Sequence, residues 1–168
     1  GTQDNEGNLG GAIYNEGKMS MFQFADFYYN KAAGGGAIYN KGVVKFLKNS
    51  RASFRHNRTY DSGDSGGQVS NLGTILFKGG VEFEDGFTEA NGGAISNTDT
   101  VIIEKSAVFK NNVASEDGGA IASPVYATFE LPEDTIFEGN SVRYDDGNCD
   151  NWYQRTSEDN FDFDCLWE

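Results

Sequence analysis

The sequence predicts an all-β chain wound as a parallel β-helix of about five to six coils. Two observations predict it. A pair of motifs recurs five times in phase. Between the copies lie short β-type runs separated by turn residues. The first motif reads GGAIYN at Gly10, GGAIYN at Gly35, GGQVSN at Gly66, GGAISN at Gly92 and GGAIAS at Gly118. The second reads FYYN at Phe27, FRHN at Phe54, FEDG at Phe83, FKNN at Phe109 and FEGN at Phe137. Copies of the first motif start 25, 31, 26 and 26 residues apart.

Each element follows from the repeat. Ala-Ile-Tyr within the first motif is a short strand, and the glycine pair before it allows positive φ and close approach between coils. Asn15-Glu16-Gly17, Asn40-Lys41-Gly42, Lys78-Gly79-Gly80 and Asn97-Thr98-Asp99 are turn chemistry. Val43 to Phe46, Thr74 to Phe77 and Val101 to Ile103 are strands rich in β-branched residues. The reading is three short strands per coil. Coils stacked about 4.8 Å apart place equivalent residues above one another. Ile13, Ile38, Val69, Ile95 and Ile121 then form an aliphatic stack. Phe27, Phe54, Phe83, Phe109 and Phe137 form an aromatic one. Asn30, Asn57, Asn112 and Asn140 form an amide ladder at a bend. The third copy departs twice, with Gln68 for alanine and Gly86 for asparagine.

The string GDSGG, Gly63 to Gly67, resembles the nucleophile loop of trypsin-like serine proteases. The repeat assigns it otherwise. Gly66-Gly67 is the third glycine pair, and Arg58 to Ser65 is an inserted loop that lengthens this spacing. The single histidine, His56, lies nearby, but no series of barrel strands precedes it.

The totals bound the rest. A chain of 168 residues suits one domain. Its 38% hydrophobic content is too high for a disordered acidic tail. No apolar run approaches the roughly 18 residues of a membrane span. The chain opens on Gly1-Thr2-Gln3 without a signal-peptide pattern, as a processed protein or an excised fragment does. Residues 1–140 form the repeat domain, and 141–168 a C-terminal cap or partner-contact tail. Trp152, Tyr153, Phe161, Phe163, Leu166 and Trp167 suit an irregular cap over the last coil. Cys149 and Cys165 are expected to close it with a disulfide, which implies an oxidising compartment.

The paired motifs GGAI and FxxN resemble the repeats of chlamydial polymorphic outer membrane proteins. The resemblance covers roughly residues 7 to 140. It implies a right-handed, single-stranded, pectate-lyase-like solenoid used in adhesion. The tail from Ser141 does not resemble the family, and its C-terminal β-barrel translocator is missing from this sequence.

Parallel β-helices also host polysaccharide lyases and epimerases, which need a cation or metal beside a uronate and a base for its proton. Arg55, His56, Tyr60 and Asp61 bring both types together and form the candidate catalytic set. In the ordinary reading, Arg55 and His56 are the variable outward residues of FRHN. The acids Glu16, Glu84, Asp85, Glu116 and Asp117 sit in turns and serve solvation. Asp146, Asn148 and Asp150 are a candidate calcium set. The place of the closing glutamate of such a loop is held by Ser157. Asn57-Arg58-Thr59 is a glycosylation sequon whose asparagine the ladder turns inward.

Charge is distributed unevenly. Residues 1–60 carry a net +4 and residues 61–168 a net −17. A solenoid converts this order into polarity along its axis. Lys41, Lys45, Lys48, Arg51, Arg55 and Arg58 become a basic belt near one end, the candidate binding residues. The sequence therefore reads as a non-enzymatic rigid module for binding or structural support. It is either an adhesin-like domain or an accessory subunit docked on a larger protein assembly, and its partner is a protein or an anionic glycan or surface. No nucleic-acid module is recognisable. No cofactor is expected beyond the calcium candidate. The expected setting is extracellular, a cell surface or another oxidising lumen, organelle lumens included. The alternative is a polyuronate lyase or epimerase using Arg55 to Asp61.

Overall fold

The computed structural model describes residues 8–60, 66–143, 152–155 and 163–165, the last two stretches as backbone strands. The chain is a parallel β-solenoid of five coils. The first coil holds β1 (Ile13–Asn15), β2 (Lys18–Met21), β3 (Phe24–Tyr28) and β4 (Lys31–Ala32). The second holds β5 (Ile38–Asn40), β6 (Val43–Phe46), β7 (Arg51–Arg55) and β8 (Arg58–Thr59). The third holds β9 (Val69–Asn71), β10 (Thr74–Phe77), β11 (Gly80–Glu84) and β12 (Phe87–Thr88). The fourth holds β13 (Ile95–Asn97), β14 (Thr100–Ile103), β15 (Ala107–Lys110) and β16 (Val113–Ala114). The fifth holds β17 (Ile121–Pro124), β18 (Thr128–Glu130), β19 (Ile136–Glu138) and β20 (Ser141–Val142). Two more strands, β21 (Trp152–Arg155) and β22 (Phe163–Cys165), follow.

Equivalent strands pair in parallel, which produces four sheets. The first runs β1-β5-β9-β13-β17-β21-β22, with β22 antiparallel to β21. The second, third and fourth sheets contain the second, third and fourth strands of each coil. The sequence predicts three strands per coil, and the structure has a fourth. The fourth strand has only two residues, too few for alternation to reveal. Arg58 and Thr59 belong to it rather than to the insert: they pair with Lys31 and Ala32, and Arg58 also pairs with Phe87. The insert therefore follows Tyr60. Residues 61–65, with Asp61 and Ser65, lie outside the described residues.

The glycine pair shows why its sequence is narrow. Gly35 has φ +57, and a Cβ there would sit 2.1 Å from the Ile38 carbonyl oxygen. A Cβ on Gly36 would sit 2.3 Å from the carbonyl oxygen of Gly67 in the next coil. The first glycine makes the corner, and the second lets successive backbones close on one another.

The interior is built from columns. Phe27, Phe54, Phe83, Phe109 and Phe137 stack with centroid separations of 4.6, 4.8, 5.1 and 5.1 Å. Phe46 and Phe77 stack at 4.5 Å on the second sheet and meet the first column edge-on. Each ring of this kind contributes about 1.5–3 kcal/mol through burial, and the stacked geometry adds to it. The aliphatic column from Ile38 through Val69 and Ile95 to Ile121 is fully buried.

Two amide ladders run along the axis. One joins Asn15, Asn40, Asn71 and Asn97 at 2.7–2.8 Å and ends on Ser123 Oγ at 3.2 Å. The sequence contains its signal, the asparagine of GGAIYN, which the repeat pattern alone assigns to a turn. The other ladder starts with Asn30 and Asn57, at 2.9 Å. Asn57 then donates to Gln68 Oε1 at 2.9 Å, and Gln68 donates to Asn112 Oδ1 at 2.9 Å. Asn112 donates to Asn140 Oδ1, also at 2.9 Å. Gln68 thus supplies the amide that Gly86 lacks. A Cβ at Gly86 would meet Gln68 Cγ at 2.6 Å and Asn112 Oδ1 at 2.8 Å. The two departures of the third repeat are one substitution made in two places. Asn57 is fully buried within this ladder, so its sequon faces inward.

Candidate functional site

The second x of FxxN has positive φ in every coil: Tyr29 (54°), His56 (53°), Asp85 (53°), Asn111 (53°) and Gly139 (64°). This residue turns the chain from the third sheet to the fourth. Asp, Asn and Gly suit left-handed backbone, and bulky residues do not. Tyr29 therefore holds a conformation that costs about 1–2 kcal/mol. Its ring stacks on His56 at 4.8 Å and meets Tyr28 edge-on at 4.2 Å. Hydrogen bonding to Tyr29 raises the Tyr28 phenol above its ordinary pKa, with burial adding to the effect.

Aromatic side chains on the first coil also face outward elsewhere. Phe22 and Phe24 are 71% and 82% exposed, and Tyr14, Tyr28 and Tyr29 are exposed as well. Alternation along β3 turns Ala25 and Phe27 inward and Phe24, Asp26 and Tyr28 outward. The register places Phe24 beside Arg51, Asp26 beside Ser53 and Tyr28 beside Arg55. In the third coil the same columns continue as Gly80, Glu82 and Glu84.

The six basic residues all lie on the second coil and encircle it. Lys41 is in the turn after β5, where its Nζ sits 5.5 and 5.6 Å from the Tyr14 and Tyr39 ring centroids. It donates to Tyr14 Oη at 3.2 Å, a bond that raises the lysine pKa, and Tyr14 donates to Glu16 at 2.5 Å. Lys45 lies on the outer face of the second sheet, and Lys48 in the turn that follows. Arg51 and Arg55 share the outer face of the third sheet, and Arg58 projects from the fourth. Only Arg51 and Arg55 are thus neighbours on one flat face. Arg51 reaches Glu82 at 3.3 Å, and Arg55 lies 5.9 Å from the Tyr28 ring.

The candidate catalytic residues are held by different partners. His56 Nδ1 lies 3.3 Å from Asp85 Oδ2. Arg55 faces Tyr28, and the Tyr60 ring lies beneath Lys31 Nζ at 5.0 Å. Asp61 lies outside the described residues, as do the calcium candidates Asp146, Asn148 and Asp150 and the side chains of Cys149 and Cys165. Among the described residues, no three His, Cys, Asp or Glu side chains form a metal-binding group.

Sequence reasoning found the cations and missed the aromatic half of this face. Its signal was present: Phe24 and Tyr28 occupy strand positions whose alternation turns them away from the core.

Among the described residues, no helix is long and apolar enough to cross a membrane. No curated protein and no solved structure matches the chain. The family model of the Chlamydia polymorphic membrane protein repeat matches residues 25–41 and 106–124. Each stretch runs from an FxxN strand through its corner to the next GGAI strand. Two stretches of the chain are thus similar to the Chlamydia polymorphic membrane protein repeat, within a fold wound as a parallel β-solenoid of about five turns.

Proposed function

We propose that the chain is a non-enzymatic, rigid β-solenoid module that binds a partner through the outer wall of its first two coils. It serves as an adhesin-like surface domain or as a subunit docked on a larger protein assembly, facing the cell exterior or an oxidising lumen. The repeat match to a membrane-protein family supports a surface-associated setting. The carrying observation is the contrast at one corner. The later coils place Asp85, Asn111 and Gly139 at the left-handed position, and the first places Tyr29. An aromatic ring kept where its backbone is disfavoured points to use of that ring. Exposed aromatics beside arginine are also the residue types that dominate protein interfaces.

The test uses native size exclusion of an extract of the source, with mass spectrometry of co-migrating chains, alongside incubation of the purified chain with polyuronates. The expected result is a complex well above the 18.3 kDa of the chain, lost when Arg51 and Arg55 are both changed to Glu, and no unsaturated sugar product. A chain that runs alone in the extract overturns the docked-subunit form. Turnover that disappears in an Arg55→Ala, His56→Ala variant overturns the non-enzymatic reading in favour of a lyase.

A further inference from the structure

Ser53 sits midway along β7 on the outer face of the third sheet, one strand in from the β3 edge. Its neighbours along β7 are Arg51 and Arg55, and its neighbours across the sheet are Asp26 and Glu82. Phe24 and Tyr28 lie at two diagonal corners. Ser53 is only 6% exposed. Its Oγ is the one buried side-chain oxygen or nitrogen among the described residues without a hydrogen-bond partner. Leaving such a group unpaired is costly, and native proteins seldom do so without a reason. The other buried polar side chains of this wall and its corner, Asn57, Gln68 and Asn112, are fully engaged in the ladder.

We propose that this face binds an acidic polysaccharide, a chain of sugars carrying carboxylates or sulfates, laid along β3 and β7. This rests on reading the first two coils as a binding surface. Phe24 and Tyr28 are four residues apart on one strand, about 13 Å at the usual rise, a span wider than one sugar ring. They offer apolar faces for sugar C–H groups to pack on. Arg51 and Arg55 provide guanidinium forks for the acid groups. In the complex, Arg51 exchanges Glu82 for the acid group of the sugar, and the Ser53 hydroxyl gains the partner it lacks. Asp26 accepts hydrogen bonds from sugar hydroxyls. The carboxylates select among anions. Asp26 and Glu82 would repel a phosphatidylserine surface or a run of acidic side chains, and neither offers hydroxyl donors in return. A glycan supplies both charge and donors.

The experiment is calorimetric titration of the purified chain with oligogalacturonate and with a heparin-derived oligosaccharide. The controls are a neutral oligoglucan, polyaspartate and phosphatidylserine vesicles. One or both acidic oligosaccharides should bind and the controls should not. The carboxylated and sulfated arms separate the two sources of charge. Phe24→Ala with Tyr28→Ala should weaken binding at least about tenfold. Ser53→Ala should weaken it about fivefold while leaving the melting temperature unchanged or raised, because it removes an unpaired buried hydroxyl. Arg55→Gln should weaken it and flatten its salt dependence. Polyaspartate or vesicles binding as well as the sugars, or sugar affinity indifferent to the Ser53 and aromatic variants, overturns the proposal. Absence of sugar binding while the native complex persists overturns the glycan and leaves the protein-docking reading standing. Melting curves on every variant separate lost binding from lost fold.

Discussion

The third and fourth coils carry an amide at the same corner and draw it from different segments of the repeat. In the fourth coil Asn112 reaches in from the end of the third sheet, and Ala94 leaves room beneath it. In the third coil Gln68 reaches in from the glycine-pair segment, and Gly86 clears the space. Both coils keep the ladder continuous. The solenoid therefore constrains what occupies a position in space, an amide bonded above and below, more tightly than which residue of the repeat supplies it. The adjoining phenylalanine column offers no such exchange. Phe83 and Phe109 come from the same strand of each coil, and both are fully buried.

That difference can be broken at the phenylalanines first, where the largest effect is expected. Phe83→Ala and Phe109→Ala should each cost about 3–5 kcal/mol, because a large ring leaves a cavity that the stacked neighbours cannot fill. Denaturant midpoints measure this. If the third coil is as regular in its core as the fourth, the two losses agree. A much smaller loss at Phe83 would mean that the altered third coil relaxes around the hole, and its equivalence to the fourth would fail.

The next effect is a coupling. Gln68→Ala leaves the Asn57 amide and the Asn112 carbonyl without the partner they share, at a cost of about 1–3 kcal/mol for each buried group. Gly86→Asn alone drives a side chain into Gln68 Cγ and should also destabilise, by about 1–3 kcal/mol. The double variant restores the arrangement of the fourth coil. It should recover most of both losses, a coupling of several kcal/mol for residues that fill one space. A Cβ at Gly86 also approaches the Gly93 carbonyl oxygen at 2.3 Å, so recovery requires a local backbone shift as well. Additive losses in the double variant would show that the two departures are unrelated.

Much of this was legible in the sequence because a solenoid repeats its contacts. The isoleucine and phenylalanine columns and the FxxN ladder follow from the period alone, since equivalent residues stack. The fourth strand did not follow, because two residues such as Phe87-Thr88 show no alternation. The link between Gln68 and Gly86 did not follow either. Each looks like a lapse until the fold places both at one corner. On the outer wall, the cations were visible as a run without acids. Their division among three sheets became visible only with the turns in place. Ser53 carried no signal, because an unpaired hydroxyl is a property of its surroundings.

The smallest effect lies at the turns that precede the glycine pairs of the fourth and fifth coils. Asn91 precedes Gly92, and Asp117 precedes Gly118. Asn91 ties the turns together: its Nδ2 donates to Glu116 at 3.0 Å, and its Oδ1 accepts from the Asp117 N–H at 2.9 Å. Asp117 has burial around it and Glu116 beside it, and both raise its pKa. A raised carboxyl pKa means that the folded state disfavours the charged form. The penalty is complete above the folded pKa. It shrinks as pH falls through that value and is gone below the ordinary 3.8. Asp117→Asn, which copies the earlier turn, should therefore stabilise the chain at neutral pH by a few tenths of a kcal/mol, a value discounted for solvent screening at a half-exposed site. Melting temperatures of the two proteins should converge as pH approaches 3. A stabilisation that persists unchanged at that pH would assign the effect to side-chain hydrogen bonding of the new amide rather than to charge.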